Sequence, residues 1–443
     1  VGLVYAVFSF GMLAAEIPTG YLGDLIGRRA SLAVGAVVRA GTVRLDDDFE
    51  IEALTVGPGS TNTGSISRSG TAGTRRTLTV NERFTWEEGL ISNEVTIDAM
   101  GGISLESSGN KRLSVAQNLS TDQSFVPRIN HCGTGTWSDG TVGGTQVVGN
   151  RARLTNLASG TFTATAGGKS FAPRFANEGS FTSDPGAGQT VSFDEFSNSG
   201  TVTVSSGTLE LEVVETSSGA FTVQNGATLE VSSFNLEPGS SVSGGGDVML
   251  TGFGGGSNIG GYAIGGTTTL STEVNLAQDI QTGTLIINNN SSTSSNRDVN
   301  GSAINSAGES IWQQGNLGGD GTVNANGGMD FTDSDTMRIM ENLTVNLGPN
   351  STWSGEGGIS VTDTAQLNVA SGGDWTIDAG RTVSVGSTAA FNNAGTTRVT
   401  SNGNLTLSGP TTNTGLVVVK DDGQIATTDF TQTSGELRLI GDM

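Results

Sequence analysis

The chain reads Phe196-Ser-Asn-Ser-Gly-Thr-Val-Thr-Val-Ser-Ser-Gly-Thr-Leu-Glu-Leu211 and, shortly afterwards, Ser218-Gly-Ala-Phe-Thr-Val-Gln-Asn-Gly-Ala-Thr-Leu-Glu-Val231. Each copy has a glycine, an alternating apolar and polar segment, a turn and a second alternating segment. Alternation with a period of two is typical of a β-strand with one buried face. The second copy repeats the first at nearly constant spacing, because Gly219 follows Gly200 by 19 residues and Leu229 follows Leu209 by 20.

Glycines mark the same period in two parts of the chain. The spacings are 21 and 19 residues in the first group and 20 residues in the second, and the six repeat-turn glycines are Gly179, Gly200, Gly219, Gly395, Gly415 and Gly435. A turn of two short strands cannot bury its apolar row alone, so neighbouring turns must stack. The pattern therefore predicts an all-β fold, a parallel β-helix or β-solenoid with turns of about 20 residues.

The alternation also predicts which side chains face the core. In the central copies these residues are Val202, Val204, Leu209, Leu211, Phe221, Val223, Leu229 and Val231. The same reasoning near the end of the sequence places Thr397, Val399, Val417, Val419, Leu437 and Leu439 inside. The five tryptophans have two interpretations: packing in the core, which gives large apolar burial, or an exposed platform for sugar rings.

Asparagine recurs two residues before the repeat-turn glycines, at Asn198, Asn393 and Asn413. Asparagine tolerates left-handed backbone, and glycine adopts positive φ without steric cost. We therefore interpret these pairs as corners between strands, with the asparagines forming ladders along the outside of the solenoid.

Composition and charge narrow the possible partners. Glycine supplies 68 of 443 residues, about twice its average share, and the formal net charge is −22. An acidic surface repels phosphate backbones, so we expect no nucleic-acid partner. The acidity is explained by solubility, with divalent-cation binding as the alternative. Because Cys132 is the single cysteine, the chain has no intrachain disulfide.

The two quoted copies resemble the β-strand repeats of large bacterial secreted and surface proteins, namely autotransporter passengers and filamentous adhesins. The resemblance extends in weaker form over residues 41–443, which we take as the solenoid region, with 41–170 less regular. It implies a right-handed parallel β-helix, an extracellular or cell-surface location, and a role as a structural stalk or adhesin-type binding surface. The partners implied are a glycan or the surface of a host or sibling cell.

Residues 1–40 differ from the remainder. The segment Glu16-Ile-Pro-Thr-Gly-Tyr-Leu-Gly-Asp-Leu-Ile-Gly-Arg-Arg-Ala-Ser-Leu32 resembles the loop between the second and third helices of major facilitator superfamily transporters. The matching motif residues are Gly20, Asp24, Gly27, Arg28 and Arg29. We expect a helix over 1–16, a loop, and a second helix starting near 28–31. This fragment is too short to build a transport pore, and it is the one expected membrane contact; the alternative is an amphipathic cap on the solenoid.

Residues that carry chemistry are few. His131 and Cys132 are adjacent, so in a strand they point to opposite faces and form no nucleophile and base pair. The run Asp46-Asp47-Asp48 is a weak calcium candidate, with a solvated acidic corner as the other interpretation. We predict no cofactor and no catalytic residue.

One enzymatic alternative is kept. β-Helices also include polysaccharide-cleaving enzymes, which need carboxylates and a base on one groove face. The residues available for such a role are Asp46, Asp48 and Glu50. We predict a non-catalytic protein, because no recurring carboxylate pair lies near a base.

Overall fold

The structure is a computed structural model, and it describes residues 36–38, 42–57, 64–68, 75–114, 126–145, 152–237, 239–251, 257–271, 274–276, 278–288 and 297–440. The described residues form a parallel β-solenoid of about 17 turns with a repeat of roughly 21 residues, and they contain no helix. The all-β solenoid prediction is confirmed. The predicted N-terminal helices and Gly20, Asp24, Gly27, Arg28 and Arg29 lie outside the described residues.

The chain divides into two compact units, Val1–Ala227 and Thr228–Met443. The strands of the first unit are β1 Ala36–Val38, β2 Thr42–Leu45, β3 Phe49–Val56, β4 Ser65–Arg68, β5 Arg76–Trp86, β6 Gly89–Ser92, β7 Val95–Ala99, β8 Gly102–Leu105, β9 Lys111–Ser114, β10 Arg128–His131, β11 Thr134–Trp137, β12 Val142–Thr145, β13 Arg153–Asn156, β14 Thr161–Ala164, β15 Lys169–Asn177, β16 Ser180–Ser183, β17 Thr190–Asn198, β18 Thr201–Val204, β19 Thr208–Ser217 and β20 Ala220–Val223.

The strands of the second unit are β21 Thr228–Val231, β22 Phe234–Leu236, β23 Ser241–Gly244, β24 Asp247–Leu250, β25 Ser257–Ile259, β26 Gly261–Leu270, β27 Val274–Leu276, β28 Ile280–Asn288, β29 Arg297–Gly301, β30 Ala303–Ser306, β31 Ser310–Gln314, β32 Asn316–Gly318, β33 Thr322–Ala325, β34 Met329–Phe331, β35 Met337–Ile339, β36 Thr344–Leu347, β37 Thr352–Trp353, β38 Ile359–Val361, β39 Gln366–Val369, β40 Asp374–Ile377, β41 Thr382–Val385, β42 Ala390–Asn393, β43 Thr396–Val399, β44 Asn404–Leu407, β45 Thr411–Asn413, β46 Leu416–Lys420, β47 Gln424–Thr427, β48 Phe430–Gln432 and β49 Glu436–Ile440.

Each regular turn contributes three strands, not the two predicted from the sequence. In the first unit, one face is formed by β7, β10, β13 and the second halves of β15 and β17. A second face is formed by β8, β11, β14, β16, β18 and β20, and a third by β9, β12 and the first halves of β15, β17 and β19. The missed strand follows its predecessor after a bend near Phe171 to Arg174, without a glycine turn to mark it.

The core confirms the predicted inward side chains of the central copies, which are all at most 1% exposed. Thr397, Val399, Val417 and Val419 are also buried, but Leu437 and Leu439 are 37% and 71% exposed, so their predicted burial is wrong. The reason is that β49 pairs with β46 on one side, and no other described strand covers it.

All five tryptophans are buried, so the sugar-platform interpretation is wrong and core packing is confirmed. The aromatic core of the first unit is dense, because the rings of Phe175 and Phe193 lie 5.2 Å apart and Trp137 packs edge-on against Phe171 and Phe193.

The repeat-turn glycines lie at corners, but for a different reason from the one predicted. None of the six has positive φ. A Cβ at Gly200 would overlap the carbonyl oxygen of Gly179, and one at Gly219 would overlap that of Gly200. The same relation holds between Gly415 and Gly395. Close approach of successive turns therefore requires glycine at these corners.

The asparagines at these corners are buried rather than external, which corrects the prediction of an outer ladder. Asn156 Nδ2 donates to Asn177 Oδ1, and Asn177 Nδ2 donates to Asn198 Oδ1, both at 2.8 Å. Asn393 and Asn413 repeat this geometry in the second unit. The side chains turn inward because a buried amide can satisfy backbone carbonyls at the corner as well as its neighbours in the stack.

Strand pairing begins at β1, whose residues Ala36–Val38 pair in parallel with Leu54–Val56 of β3. These three residues of the range 1–40 thus belong to the solenoid. Stacked positions are less evenly spaced early in the chain: Arg128 pairs 32 residues after Thr96 and 25 before Arg153, which pairs 21 before Arg174. No helix within the described residues is long and apolar enough to cross a membrane.

Candidate functional site

The second face of the first unit presents two columns of hydroxyl side chains. The strands β11, β14, β16 and β18 each place Thr or Ser at two alternate outward positions, and β20 places one. We call this surface the hydroxyl face, and it consists of Thr134, Thr136, Thr161, Thr163, Ser180, Thr182, Thr201, Thr203 and Thr222. All nine side chains are exposed or half-exposed.

The geometry of the hydroxyl face is regular. Neighbouring strands in a sheet lie about 4.8 Å apart, and alternate residues of one strand are separated by roughly 6.7 Å. The buried residues between the two columns, such as Phe162, Phe181, Val202 and Phe221, anchor each strand in the core. Threonine is β-branched and has few rotamers, so the hydroxyl groups are held in place by local sterics.

Few of these hydroxyl groups are used within the protein. Ser104 Oγ lies 3.2 Å from Thr136 Oγ1, and Thr201 Oγ1 donates to Ser180 Oγ at 3.3 Å. No member of the hydroxyl face is charged, although the chain as a whole has a net charge of −22. The face is therefore a rigid, neutral array of donors and acceptors available to an external ligand.

The second unit has a different polar column. Asn324 donates to Asn305, Asn346 to Asn324, Asn368 to Asn346 and Asn392 to Asn368, with distances of 2.6 to 2.9 Å. These side chains are half-exposed. Because each amide hydrogen-bonds to its neighbours in the stack, this column serves the solenoid itself more than a ligand.

The calcium candidates form an exposed corner. Asp47 Oδ1 lies 3.7 Å from an Arg76 guanidinium nitrogen, and Asp48 Oδ1 accepts the Thr77 backbone N–H at 2.8 Å. Asp46 is exposed, and Glu50 accepts a hydrogen bond from Asn81. In the part of the chain that the structure describes, no group of three His, Cys, Asp or Glu side chains is arranged to hold a metal ion.

His131 and Cys132 point to opposite sides of β10 and its corner, as predicted. His131 is fully buried, its Nε2 lies 3.2 Å from the Thr161 carbonyl oxygen, and burial lowers the pKa of its imidazole. Cys132 Sγ donates to the Met100 carbonyl oxygen at 3.1 Å. The two side chains do not form a nucleophile and base pair.

The sequence analysis missed a buried lysine. Lys111 is fully buried, and its Nζ donates to the carbonyl oxygens of Ser107, Gly109 and Asp139 at 3.0 to 3.2 Å. Burial lowers the pKa of Lys111 to about 8, although nearby carboxylates, Asp139 first, favour the charged form. Since its three donors are all satisfied inside the protein, we assign it a structural role at this corner.

The sequence contained a signal for the hydroxyl face that we did not use. Pairs of Thr or Ser at alternate positions recur with the turn period, at Thr161 and Thr163, Ser180 and Thr182, and Thr201 and Thr203. The fold and this face define the protein as a parallel β-solenoid repeat protein with a neutral outer face. No family model matches the chain, and no curated protein or solved structure matches it.

Proposed function

We propose that this chain is a non-catalytic, secreted or cell-surface β-solenoid that acts as a stalk and as an adhesin-type binding surface. The hydroxyl face is the observation that supports the proposal. It offers a neutral surface on five successive strands of a protein whose net charge is −22. Such a surface can approach a ligand without removing charged groups from water, a step that is costly.

The chemistry of the face favours a neutral polysaccharide as the ligand. Each Thr or Ser hydroxyl both donates and accepts, as the hydroxyl groups of a sugar do. The face is preorganised by the stacked turns, so little side-chain entropy is lost on binding. A ligand that repeats along its length can contact several turns at once, and weak contacts then add into useful affinity.

The resemblance of the repeats to autotransporter passengers and filamentous adhesins supports an extracellular location and a glycan or a host or sibling cell as partner. The resemblance of residues 1–40 to a major facilitator superfamily transporter supports a second proposal, that this segment derives from a membrane protein and has no transport activity. Gly20, Asp24, Gly27, Arg28 and Arg29 carry that resemblance.

The test is retention of the full chain on a panel of immobilised neutral polysaccharides. Replacing Thr163 and Thr203 by Lys places two charges on the hydroxyl face and should abolish retention. The matched control replaces Ser170 and Ser192 by Lys, because these half-exposed outward residues lie on the third face of the same unit. Circular dichroism should be unchanged in both variants.

Equal retention of the two variants would refute the hydroxyl face as the binding surface. The same samples test the enzymatic alternative through the release of reducing or unsaturated ends. Turnover that is lost on Asp48→Asn would replace the binding proposal with a catalytic one. Retention without turnover supports adhesion.

A further inference from the structure

The first face of the first unit carries a column of arginines that the hydroxyl face does not include. Arg128 of β10 pairs in register with Arg153 of β13, which pairs with Arg174 of β15. Arg75 lies beside this column, donating to Thr96 Oγ1 at 3.3 Å and to the Val126 carbonyl oxygen at 2.9 Å. We call Arg75, Arg128, Arg153 and Arg174 the arginine row.

The arginines of the row are close enough to repel one another. Burial lowers the pKa of Arg153, and the positive charges of Arg128 and Arg174 lower it further, whereas Glu178 and Glu215 oppose the change. Burial, followed by the charge of Arg128, likewise lowers the pKa of Arg75. The arrangement concentrates positive charge in a protein whose net charge is −22.

Neutralisation within the protein reaches the edge of the row but not its middle. Arg174 forms ion pairs with Glu215 and, at 3.9 Å, with Glu195. Among the described residues, Arg128 and Arg153 have no ion-pair partner, and the Nε of Arg153 is buried without a hydrogen-bond acceptor. A buried guanidinium donor without an acceptor is unfavourable, so an external anion would relieve a cost already present in the fold.

We propose that the arginine row binds a linear polyanion, namely an acidic polysaccharide whose carboxylate or sulfate groups repeat along its length. Guanidinium groups match such planar or tetrahedral oxyanions through paired N–H donors. Successive strands place these groups about 4.8 Å apart, so the polymer runs along the stack and contacts one arginine per turn. The site lies on a different face from the hydroxyl columns and does not depend on the neutral-polysaccharide proposal.

The test measures the affinity of the full chain for fluorescent oligogalacturonate and for a sulfated oligosaccharide, which separates carboxylate from sulfate recognition. A neutral oligosaccharide of equal length and a single-stranded DNA oligonucleotide complete the panel. The double variant Arg128→Gln and Arg153→Gln should weaken binding by about tenfold or more and reduce its salt dependence, since charge-assisted hydrogen bonds are lost. Arg153→Lys should weaken it less, because the charge is kept while the paired donors are not.

The matched control is Arg112→Gln, because Arg112 is an exposed arginine of β9 on the third face of the same unit. It should leave affinity unchanged. An equal loss in this control, equal affinity for the DNA oligonucleotide, or no binding of either acidic oligosaccharide would overturn the proposal. Retention of the double variant on neutral polysaccharides should be unchanged, so the two proposed surfaces can fail separately.

Discussion

The buried asparagine ladder provides the sharpest test of how the turns are held together. Asn177 is 1% exposed, and its Oδ1 accepts from Asn156 at 2.8 Å. Its Nδ2 donates to Asn198 Oδ1 at 2.8 Å and to the Thr201 carbonyl oxygen at 3.0 Å. The substitution Asn177→Ala removes all of these bonds and adds no group that could replace them.

The expected loss follows from the number and burial of these bonds. A net contribution of about 1 kcal/mol for each of three bonds gives a loss of ~3 kcal/mol. The partners are not left wholly unsatisfied, because Asn156 still donates to the Ser180 carbonyl oxygen and Asn198 still accepts the Gly200 N–H. The larger penalty for fully orphaned buried groups therefore does not apply.

The measurement is native-state hydrogen exchange of the amides in β13, β15 and β17. Stacked repeats do not unfold as one cooperative unit, so local exchange is more informative than a global midpoint. A loss of ~3 kcal/mol corresponds to exchange faster by roughly 100-fold in these strands.

The control is Asn346→Ala in the outer ladder of the second unit. Asn346 also makes two ladder bonds, to Asn324 and from Asn368, but it is half-exposed. Water can replace the lost bonds there, so we expect a change below about 1 kcal/mol in β33, β36 and β39. Equal losses in the two variants would refute the argument that burial determines the contribution of these ladders.

Three further perturbations address other parts of the fold. Gly200→Ala should cost about 2 kcal/mol or more, because its Cβ would overlap the backbone oxygen of Gly179, and unchanged hydrogen exchange in β16 and β18 would contradict this. The pKa of Lys111 is about 8 in the fold against 10.5 ordinarily, so the unfolded chain binds more protons between these values and stability should rise with pH across that window by at most about 3 kcal/mol. Lys111→Met should remove that rise in melting temperature, and a rise that persists would show another group to be responsible. Leu229→Asp should cost several kcal/mol by burying an unpaired charge, and a variant that melts normally would show that this side chain can reach water.

The sequence was sufficient for the period, the strand type and much of the core. Val202, Val204, Leu209 and Leu211 alternate with polar residues and follow glycines, so both the strand and its inward face can be predicted from local pattern alone. Stacking then follows because such short strands have no other way to bury an apolar row.

Features that depend on contacts between turns were predicted less well. The third strand is continuous with its predecessor, and Phe175 and Phe196 on it are separated from the preceding strand by a bend and not by a glycine. The inward turn of Asn198 and the carbonyl cage of Lys111 depend on backbone atoms from other turns, which a single-sequence pattern does not reveal. The reason for Gly200 was misjudged for the same cause, since its constraint is a neighbouring backbone and not its own φ.

The two proposed surfaces show why a solenoid can carry function without a pocket. A column of identical outward positions is produced whenever a turn repeats in register, so Thr163, Thr182 and Thr203 become a continuous hydroxyl row and Arg128 and Arg153 become neighbours. A substitution at one turn changes one element of a column and leaves the core untouched, because outward and inward side chains alternate. Binding specificity on such a fold is therefore written in the outward residues of each face. The hydroxyl face and the arginine row are best tested by substitutions that alter one column and keep the stack.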